Sequence, residues 1–229
     1  MPYTTHESEE NVVLEPATTA DAAVIWLHGL GADGYDFVPI VDELRLPPTL
    51  AVRFIFPHAR PRPVTINNGF VMRAWYDITG LGPDRKEDDA GIRESAGVVN
   101  GYIEQQNARG VATERIVIAG FSQGGAIALQ ASLRYPERLG GVMALSTYLP
   151  LRESVAAEAS RANKDLPILM CHGLRDPMIA AAIGKASRDQ LVSLGYTVEW
   201  QSYPMEHQVC MEEVHDISRW LQARLESKS

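Results

Sequence analysis

One serine of the sequence stands in a setting that favours nucleophilic chemistry. Ser122 lies between Gly120 and Gly124 in the pattern Gly-x-Ser-x-Gly, after the predicted strand 115–119 and before the helix-forming run 126–134. A sharp strand-to-helix turn with this pattern strains the serine backbone and projects its hydroxyl above a sheet. The N-terminal amides of the following helix would point near that hydroxyl. The pattern predicts a serine nucleophile, and the alternative is a serine that only caps the helix.

A serine nucleophile needs a general base, and histidine has a pKa suited to that role at neutral pH. Of the six histidines, His207 and His215 follow Ser122 far enough for the chain order serine, acid, histidine that accompanies such a turn. His207 comes after a predicted strand, whereas His215 falls within a predicted C-terminal helix. We therefore expect His207 to be the base and His215 to lie on a helix surface. The alternative for His207 is an ordinary loop histidine.

The predicted acid, which would hold the tautomer of the histidine, is Asp176. It lies in the turn that leaves the predicted strand 167–171. Asp165 precedes that strand and so sits at its wrong end, and Asp189 lies inside the next predicted helix. The alternative is that Asp176 only caps a helix that starts near Pro177.

An oxyanion that forms during acyl transfer needs at least two preorganised donors. The turn itself would supply the backbone amide of Gln123. The glycine-rich loop 28–33, which follows the apolar run 23–27, would supply a second donor through the N–H of Leu30. In this interpretation His28 has a structural role and holds the loop by hydrogen bonds. The alternative is a glycine-rich loop without a catalytic role.

Short apolar runs alternate with helical patterns along nearly the whole chain, which is typical of a parallel sheet covered by helices on both faces. The predicted fold class is α/β, and no linker divides residues 1–229, which predicts a single domain. Apolar stripes over 92–103 and 214–225 predict amphipathic helices that face the core, and the alanine-rich run 155–162 predicts a short helix. The predicted strands are 22–28, 50–56, 115–119, 140–145, 167–171 and 197–202.

Composition excludes several functional classes. A hydrophobic content of 45% with 22% charged residues is ordinary for a globular protein. The net charge of −8 disfavours nucleic acids and anionic membrane surfaces as partners. The polar, acidic N-terminus lacks the pattern of a secretory signal, and no apolar run is long enough to span a bilayer. Neither Cys171 nor Cys210 has the spacing of a zinc or redox motif. We expect a soluble cytoplasmic protein without a metal site.

Several segments together resemble the small bacterial carboxylesterases that are related to acyl-protein thioesterases. These segments are 27–31, 63–69, 74–78, 120–125, 144–148, 173–176 and 205–207. The resemblance implies an α/β-hydrolase fold, a mostly parallel central sheet with helices on both faces and no large cap domain. It also implies Ser122, Asp176 and His207 as the catalytic triad, with Leu30 and Gln123 as oxyanion donors. Acyl esters or thioesters would be the substrates, no cofactor is implied, and a homodimer would fit the family.

Glu206 departs from the family pattern, which has glycine before the histidine. Glutamate would be strained there if the position requires a positive φ. Its carboxylate would favour the protonated imidazole of His207 if the two lie close together. We therefore expect the acidic limb of kcat/KM to lie at higher pH than in Glu206→Gly.

The sequence indicates a serine carboxylesterase that acts on short- to medium-chain acyl esters through an acyl-enzyme. Segment 57–89 is expected to form a wall of the acyl pocket, because Phe70, Met72, Trp75 and Tyr76 concentrate apolar area there. The alternative is a passive surface loop. Only about one short helix fits between strands in the region 145–166, so we expect an open site that cleaves p-nitrophenyl butyrate faster than the palmitate.

Two other functions remain open at this point. The same triad could serve an acyl-protein thioesterase or a lysophospholipase, which acyl-chain and head-group preferences would separate. A non-catalytic scaffold that binds a ligand is a further alternative. It is disfavoured because each catalytic role has a candidate residue.

Overall fold

The computed structural model describes residues 3–80 and 86–226. Residues 81–85 of the predicted pocket segment, and both extreme ends of the predicted domain, lie outside the described residues.

The centre of the described structure is a sheet of eight strands, accompanied by a separate two-stranded hairpin. The sheet consists of β1 (Thr4–Glu7), β2 (Asn11–Glu15), β3 (Ala22–Leu27), β4 (Val52–Pro57), β7 (Ile116–Phe121), β8 (Gly141–Leu145), β9 (Ile168–Gly173) and β10 (Val198–Tyr203), and the hairpin of β5 (Pro61–Val64) and β6 (Phe70–Arg73). The strand order in the sheet is β1-β2-β4-β3-β7-β8-β9-β10. Pairing is parallel from β4 to β10 and antiparallel where β2 meets β1 and β4.

Helices cover both faces of the sheet. They are α1 (Ile40–Leu44), α2 (Asp89–Ala108), α3 (Gln123–Arg134), α4 (Val155–Glu158), α5 (Ala181–Ser193) and α6 (Met211–Leu225). Alternate residues of β3 face opposite cores: Ile25 packs in the core with α2 and α3, and Val24 in the core with α1 and α6. Because the central strands are buried on both faces, their sequences are continuous apolar runs. The predicted α/β class is confirmed.

All six predicted strands exist, with ends that shift by one or two residues. The apolar stripes of α2 and α6 face the core as predicted. The helix predicted over 155–162 is shorter: α4 ends at Glu158, and a 3₁₀ turn follows over Arg161–Asn163. The chain from β8 to β9 thus holds only short helical elements. None of the described helices is both long enough and apolar enough to cross a membrane.

Candidate active site

The turn at Ser122 has the strained geometry that its sequence predicts. Ser122 adopts φ 54° and ψ −119° between the end of β7 and the start of α3, in a region that non-glycine residues rarely occupy. A Cβ on Gly120 would lie 2.2 Å from the carbonyl oxygen of Gly124, and a Cβ on Gly124 would lie 2.4 Å from that of Leu27. Both glycines are therefore required because backbone approaches backbone at the turn.

Two hydrogen bonds hold this turn against the next strand. The Ser122 amide donates to the carbonyl oxygen of Leu145 at 2.8 Å. The Thr147 hydroxyl donates to the carbonyl oxygen of Ser122 at 2.6 Å. Because β7 and β8 pair in parallel, these contacts fix Ser122 at the carboxyl end of the sheet, where functional groups of α/β folds gather.

Asp176 and His207 lie together on the loops that follow β9 and β10. The Asp176 Oδ2 is 2.7 Å from the His207 Nδ1, and the Asp176 side chain is fully buried. The amides of Met178 and Ile179 each donate to the other oxygen, Oδ1, at 2.8 Å. Asp176 therefore does more than cap the following turn: one oxygen holds the turn and the other holds the histidine. α5 begins only at Ala181, later than the predicted start near Pro177.

His207 lies beside the serine turn, and its contact with a carboxylate favours the tautomer that a base requires. Its ring centroid is 4.8 Å from that of Phe121, the residue before Ser122. Donation from Nδ1 to Asp176 leaves the lone pair of Nε2 free to accept a proton. The other candidates for the base and the acid lie where the sequence predicts. His215 is exposed on α6, Asp165 is exposed ahead of β9, and Asp189 is on α5.

The loop after β3 borders the serine. A Cβ on Gly29 would lie 3.6 Å from the Ser122 Cβ. The amide of Gly31 donates to the carbonyl oxygen of Arg73 at 2.9 Å, and that of Ala32 donates within the loop. The Leu30 amide directly precedes these two engaged amides in the loop. The Gln123 amide is the first of α3, where a helix offers no intrahelical acceptor. The two predicted oxyanion donors thus belong to the loop that borders Ser122 and to the first turn of α3, and their role stays a prediction.

His28 has the structural role that the sequence predicts. Its Nδ1 lies 2.7 Å from the carbonyl oxygen of Gly29. The amide of Ala59 donates to its Nε2 at 3.0 Å. Burial lowers the pKa of His28 to about 4, so the ring is neutral, with Nδ1 as donor and Nε2 as acceptor. His28 thus joins the loop that follows β3, which contains the predicted oxyanion donor Leu30, to the chain that follows β4.

The four predicted pocket residues divide into two pairs. Phe70 on β6 is 68% exposed. Met72 is partly exposed, and its sulfur lies 3.7 Å from where a Cβ on Gly31 would be. Trp75 and Tyr76 are only 2% and 3% exposed, and their place in the pocket stays a prediction. Most of their apolar area is buried in the core, and the indole N–H of Trp75 donates to the carbonyl oxygen of His28 at 2.9 Å.

The side chain of Gln123 has a role that sequence reasoning missed. It is buried, its Oε1 accepts from the Trp75 amide at 2.8 Å, and its Nε2 donates to the carbonyl oxygen of Tyr76 at 2.7 Å. The residue after the serine therefore holds the segment that follows β6. A separation of 48 residues leaves no periodic signal in the sequence. The one signal in the sequence is a long amide side chain among the small residues of the glycine-rich turn.

Glu206 is exposed and does not have the positive φ that would strain it. The expected strain is therefore wrong, because the backbone here suits any residue. Its side chain lines an open cavity of about 390 Å³ together with Arg175, Gln208 and Glu212. The expected effect of Glu206 on the acidic limb stays a prediction. Within residues 3–80 and 86–226, no three His, Cys, Asp or Glu side chains gather in a way that could hold a metal ion.

The chain is similar to known proteins over nearly its whole length. The model of the phospholipase/carboxylesterase family matches residues 8–225. The chain is 37% identical to acyl-protein thioesterase 1 of Gibberella zeae over 227 residues, which are 95% of this chain and 97% of that protein. It is 39% identical to acyl-protein thioesterase 1 of Neurospora crassa over 223 residues, which are 93% of this chain and 91% of the other.

A solved structure is similar over nearly the same length. The crystal structure of Zea mays acyl-protein thioesterase 2 superposes with a TM-score of 0.85 at 30% identity and covers 94% of this chain and 99% of its own. The fold is therefore the α/β-hydrolase fold, with no large cap. These relatives are fungal and plant proteins, so the comparisons support the predicted family but not its bacterial branch in particular.

Proposed function

We propose that this chain, which belongs to the phospholipase/carboxylesterase family, hydrolyses acyl thioesters of proteins. The observation that supports a thioester substrate is the similarity, along nearly the whole chain, to proteins named acyl-protein thioesterases. This replaces the carboxylesterase function that the sequence alone favours. The family itself is one of serine hydrolases of the esterase and thioesterase kind.

The proposed mechanism uses the groups that gather around Ser122. The Ser122 hydroxyl attacks the thioester carbonyl while the His207 Nε2 takes its proton. Asp176 stabilises the imidazolium that forms, through the hydrogen bond of 2.7 Å. The amides of Leu30 and Gln123 donate to the oxyanion. The carbon–sulfur bond then breaks, His207 gives its proton to the leaving sulfur, and the acyl group stays on the Ser122 oxygen as an acyl-enzyme. The neutral His207 next takes a proton from a water that attacks this ester, and it returns that proton to Ser122 as the fatty acid leaves.

The surroundings of the site suit an acyl chain attached to a large partner. The β8–β9 connection contributes no cap, so a protein surface can approach Ser122. Phe70 and Val71 on β6 are exposed, and the backbone of Arg73 accepts from the donor loop at Gly31. The hairpin β5–β6 therefore offers apolar surface beside the site, where a hydrocarbon chain can bury its own area.

Oxygen esters are the second candidate substrates, since the family description also names carboxylesterases. The two chemistries differ at the leaving group. A thiol has a pKa near 8.5, so a thiolate can leave with little help, whereas an alkoxide must receive a proton from His207. The same triad serves both reactions. The ratio of kcat/KM for the thioester to kcat/KM for the oxygen ester therefore shows how far the reaction depends on proton donation from His207 to the leaving group.

The decisive experiment compares two peptides that differ in one atom. Each carries the same acyl chain, on cysteine in one peptide and on serine in the other, and the series runs from butyryl through octanoyl to palmitoyl. Each kcat/KM is divided by the rate of spontaneous hydrolysis of the same peptide. We expect this ratio to be at least about 10-fold larger for the thioester than for the oxygen ester. An equal or larger value for the oxygen ester would favour the carboxylesterase.

Ser122→Ala provides the catalytic control. Loss of a triad serine lowers kcat by roughly 10⁵ to 10⁶ in other hydrolases, and we expect the same loss for both peptides. Turnover near that of the wild type would remove Ser122 from the mechanism. A fluorophosphonate probe that labels the wild type but not the variant would identify the activated hydroxyl independently of any substrate.

A further inference from the structure

The geometry points to His172 as a positioning residue that sets the orientation of Asp176, and through it that of His207. The inference rests on the proposed triad. His172 is the fifth residue of β9 and is 1% exposed. It touches none of the atoms that react, and neither the chain order of the triad nor its spacing assigns it a function.

One nitrogen of His172 faces the turn that carries Asp176. Its Nε2 lies 2.8 Å from the carbonyl oxygen of Ile179. The same Nε2 lies 3.6 Å from the Asp176 Oδ2, the oxygen that accepts from His207. The His172 ring thus closes a loop of contacts: it binds the carbonyl of Ile179, whose amide in turn donates to the Asp176 Oδ1.

The surroundings define the tautomer of His172. Its Nδ1 is buried and has no hydrogen-bond partner within the described part of the chain. This atom faces α5, where a Cβ on Gly184 would come within 2.5 Å of it. A proton on Nδ1 would be buried without an acceptor, which is costly. The proton therefore belongs on Nε2, where it is donated to Ile179 and directed towards the Asp176 carboxylate.

The turn depends on this contact because, besides the two amides that donate to Asp176, few interactions hold it. Pro177, Met178 and Ala180 are exposed, and Ile179 is only half-buried. Apolar packing therefore contributes little to the shape of the turn, and its backbone hydrogen bonds must define it. Release of the Ile179 carbonyl would let its amide, and the amide of Met178, move away from Asp176. A carboxylate without these donors would no longer be fixed against His207.

The other faces of the ring are occupied by packing alone. The indole of Trp200 on β10 stacks on His172, with centroids 5.9 Å apart and planes at 16°. Arg188 of α5 lies over the same indole, 5.4 Å from its centroid. Asp176 is the charged group on the turn side. A purely structural function would need only the ring, whereas positioning needs its Nε2–H, and this difference can be tested.

The test compares three substitutions of His172. Glutamine carries an amide N–H about as far along the side chain as Nε2, whereas asparagine carries one near the place of Nδ1. Phenylalanine keeps a ring to stack on Trp200 without any donor. We expect His172→Gln to retain kcat within about 3-fold. We expect His172→Asn and His172→Phe to lose about 10- to 100-fold in kcat with KM nearly unchanged, because the chemical step alone needs this alignment.

A pH profile adds a readout that packing would not change. A less firmly held Asp176 stabilises the His207 imidazolium less, so the acidic limb of kcat/KM should move to lower pH in the asparagine and phenylalanine variants. His215→Asn, at an exposed position of α6, is the matched control and should leave both kcat and the limb in place. The inference is overturned if asparagine matches the wild type, or if glutamine is as damaging as phenylalanine.

The rate at which a fluorophosphonate labels Ser122 separates this inference from the proposed substrate. That rate depends on the activation of the hydroxyl and not on the choice between thioester and ester. Slower labelling of His172→Asn than of His172→Gln supports positioning even if no thioester is cleaved. If Ser122 labels equally fast in all variants while thioesters are hydrolysed, the proposed function stands and the positioning role fails. If His172→Phe does not fold, the comparison of His172→Gln with His172→Asn still tests the positioning role.

Discussion

At the scale of single residues, Asp176 combines two functions because its two oxygens face different partners. Oδ1 accepts two backbone amides of the turn, and Oδ2 accepts from His207. Full burial of the side chain strengthens both interactions, since water does not compete for the oxygens. The orientation of the base is therefore connected to the backbone of the turn. A substitution that keeps the shape but changes one donor or acceptor tests that connection.

Asp176→Asn is expected to lower kcat by about 10⁴ while the fold persists, by analogy with other triads. The asparagine oxygen can still accept from the amides of Met178 and Ile179, but its NH₂ would face the His207 Nδ1. That contact favours the wrong histidine tautomer, with the proton on Nε2. Hydrolysis of the acyl-cysteine peptide measures the loss. Asp189→Asn on α5, at an exposed position, is the control and should match the wild type.

Most of the site could be predicted at this scale because each residue sits next to a recognisable turn. Ser122 lies in a glycine pattern, and Asp176 and His207 each follow an apolar strand. The side chains of Gln123 and His172 carried no such signal, because their partners depend on how distant segments pack. The extent to which Trp75 and Tyr76 are buried was missed for the same reason. Apolar composition shows that area will be covered, but it does not show which distant segments cover it.

At the scale of elements, the serine turn works because a strand, a helix and a loop meet at very short range. Gly124 lies where α3 passes the end of β3, and a Cβ there would be 2.4 Å from the Leu27 carbonyl oxygen and 2.5 Å from that of His28. Both obstacles are backbone atoms, which cannot rotate away as a side chain can. The loop with Leu30 and the turn with Ser122 are therefore fixed relative to each other.

Gly124→Ala is expected to lower the free energy of unfolding by about 1 to 3 kcal/mol or more, as overpacking does, and to slow fluorophosphonate labelling of Ser122. Gly97→Ala is the matched control. Gly97 is exposed on α2, and a Cβ there meets nothing within 4 Å. This control should raise the unfolding free energy by up to about 1 kcal/mol. Urea titrations of both variants measure the effect, and equal curves would contradict the close approach at Gly124.

The central strands were predictable because burial on both faces produces continuous apolar runs. β1 was missed because its four residues are all exposed, and β2 because only alternate residues are buried. The hairpin β5–β6 was missed because β5 contains two prolines, which are typical of a loop, and because the apolar residues of β6 were interpreted as a pocket wall and not as a strand. Antiparallel edge strands and hairpins obtain their order from backbone pairing, which a hydropathy pattern does not report.

At the scale of the whole molecule, α6 carries a carboxyl group into the core behind the sheet. Glu213 is fully buried. Burial raises the pKa of this carboxyl to about 8 from an ordinary 4.5, and the neighbouring Asp216 adds to the effect, while contacts with Cys171 and Cys210 lower it. At neutral pH the folded protein therefore holds a proton here that the unfolded chain has already lost.

This difference makes stability depend on pH in a defined direction. Between pH 4.5 and about 8 the folded state binds more protons at Glu213 than the unfolded state does, so its contribution to stability falls as pH rises. The fall has a limiting slope of about 1.4 kcal/mol per pH unit and ends above the folded pKa. Glu213→Gln keeps the size of the side chain and cannot ionise. Its stability relative to the wild type should therefore increase from pH 5 to pH 8.

Urea unfolding of wild type and Glu213→Gln at pH 5 to 9 measures this difference. Other titrating groups are common to both proteins and cancel in the comparison. Glu226→Gln, at an exposed position beyond α6, controls for the loss of one surface carboxylate and should run parallel to the wild type. Parallel curves for Glu213→Gln as well would mean that this carboxyl is already ionised in the folded core. The sheet and α6 would then have to accommodate a buried charge.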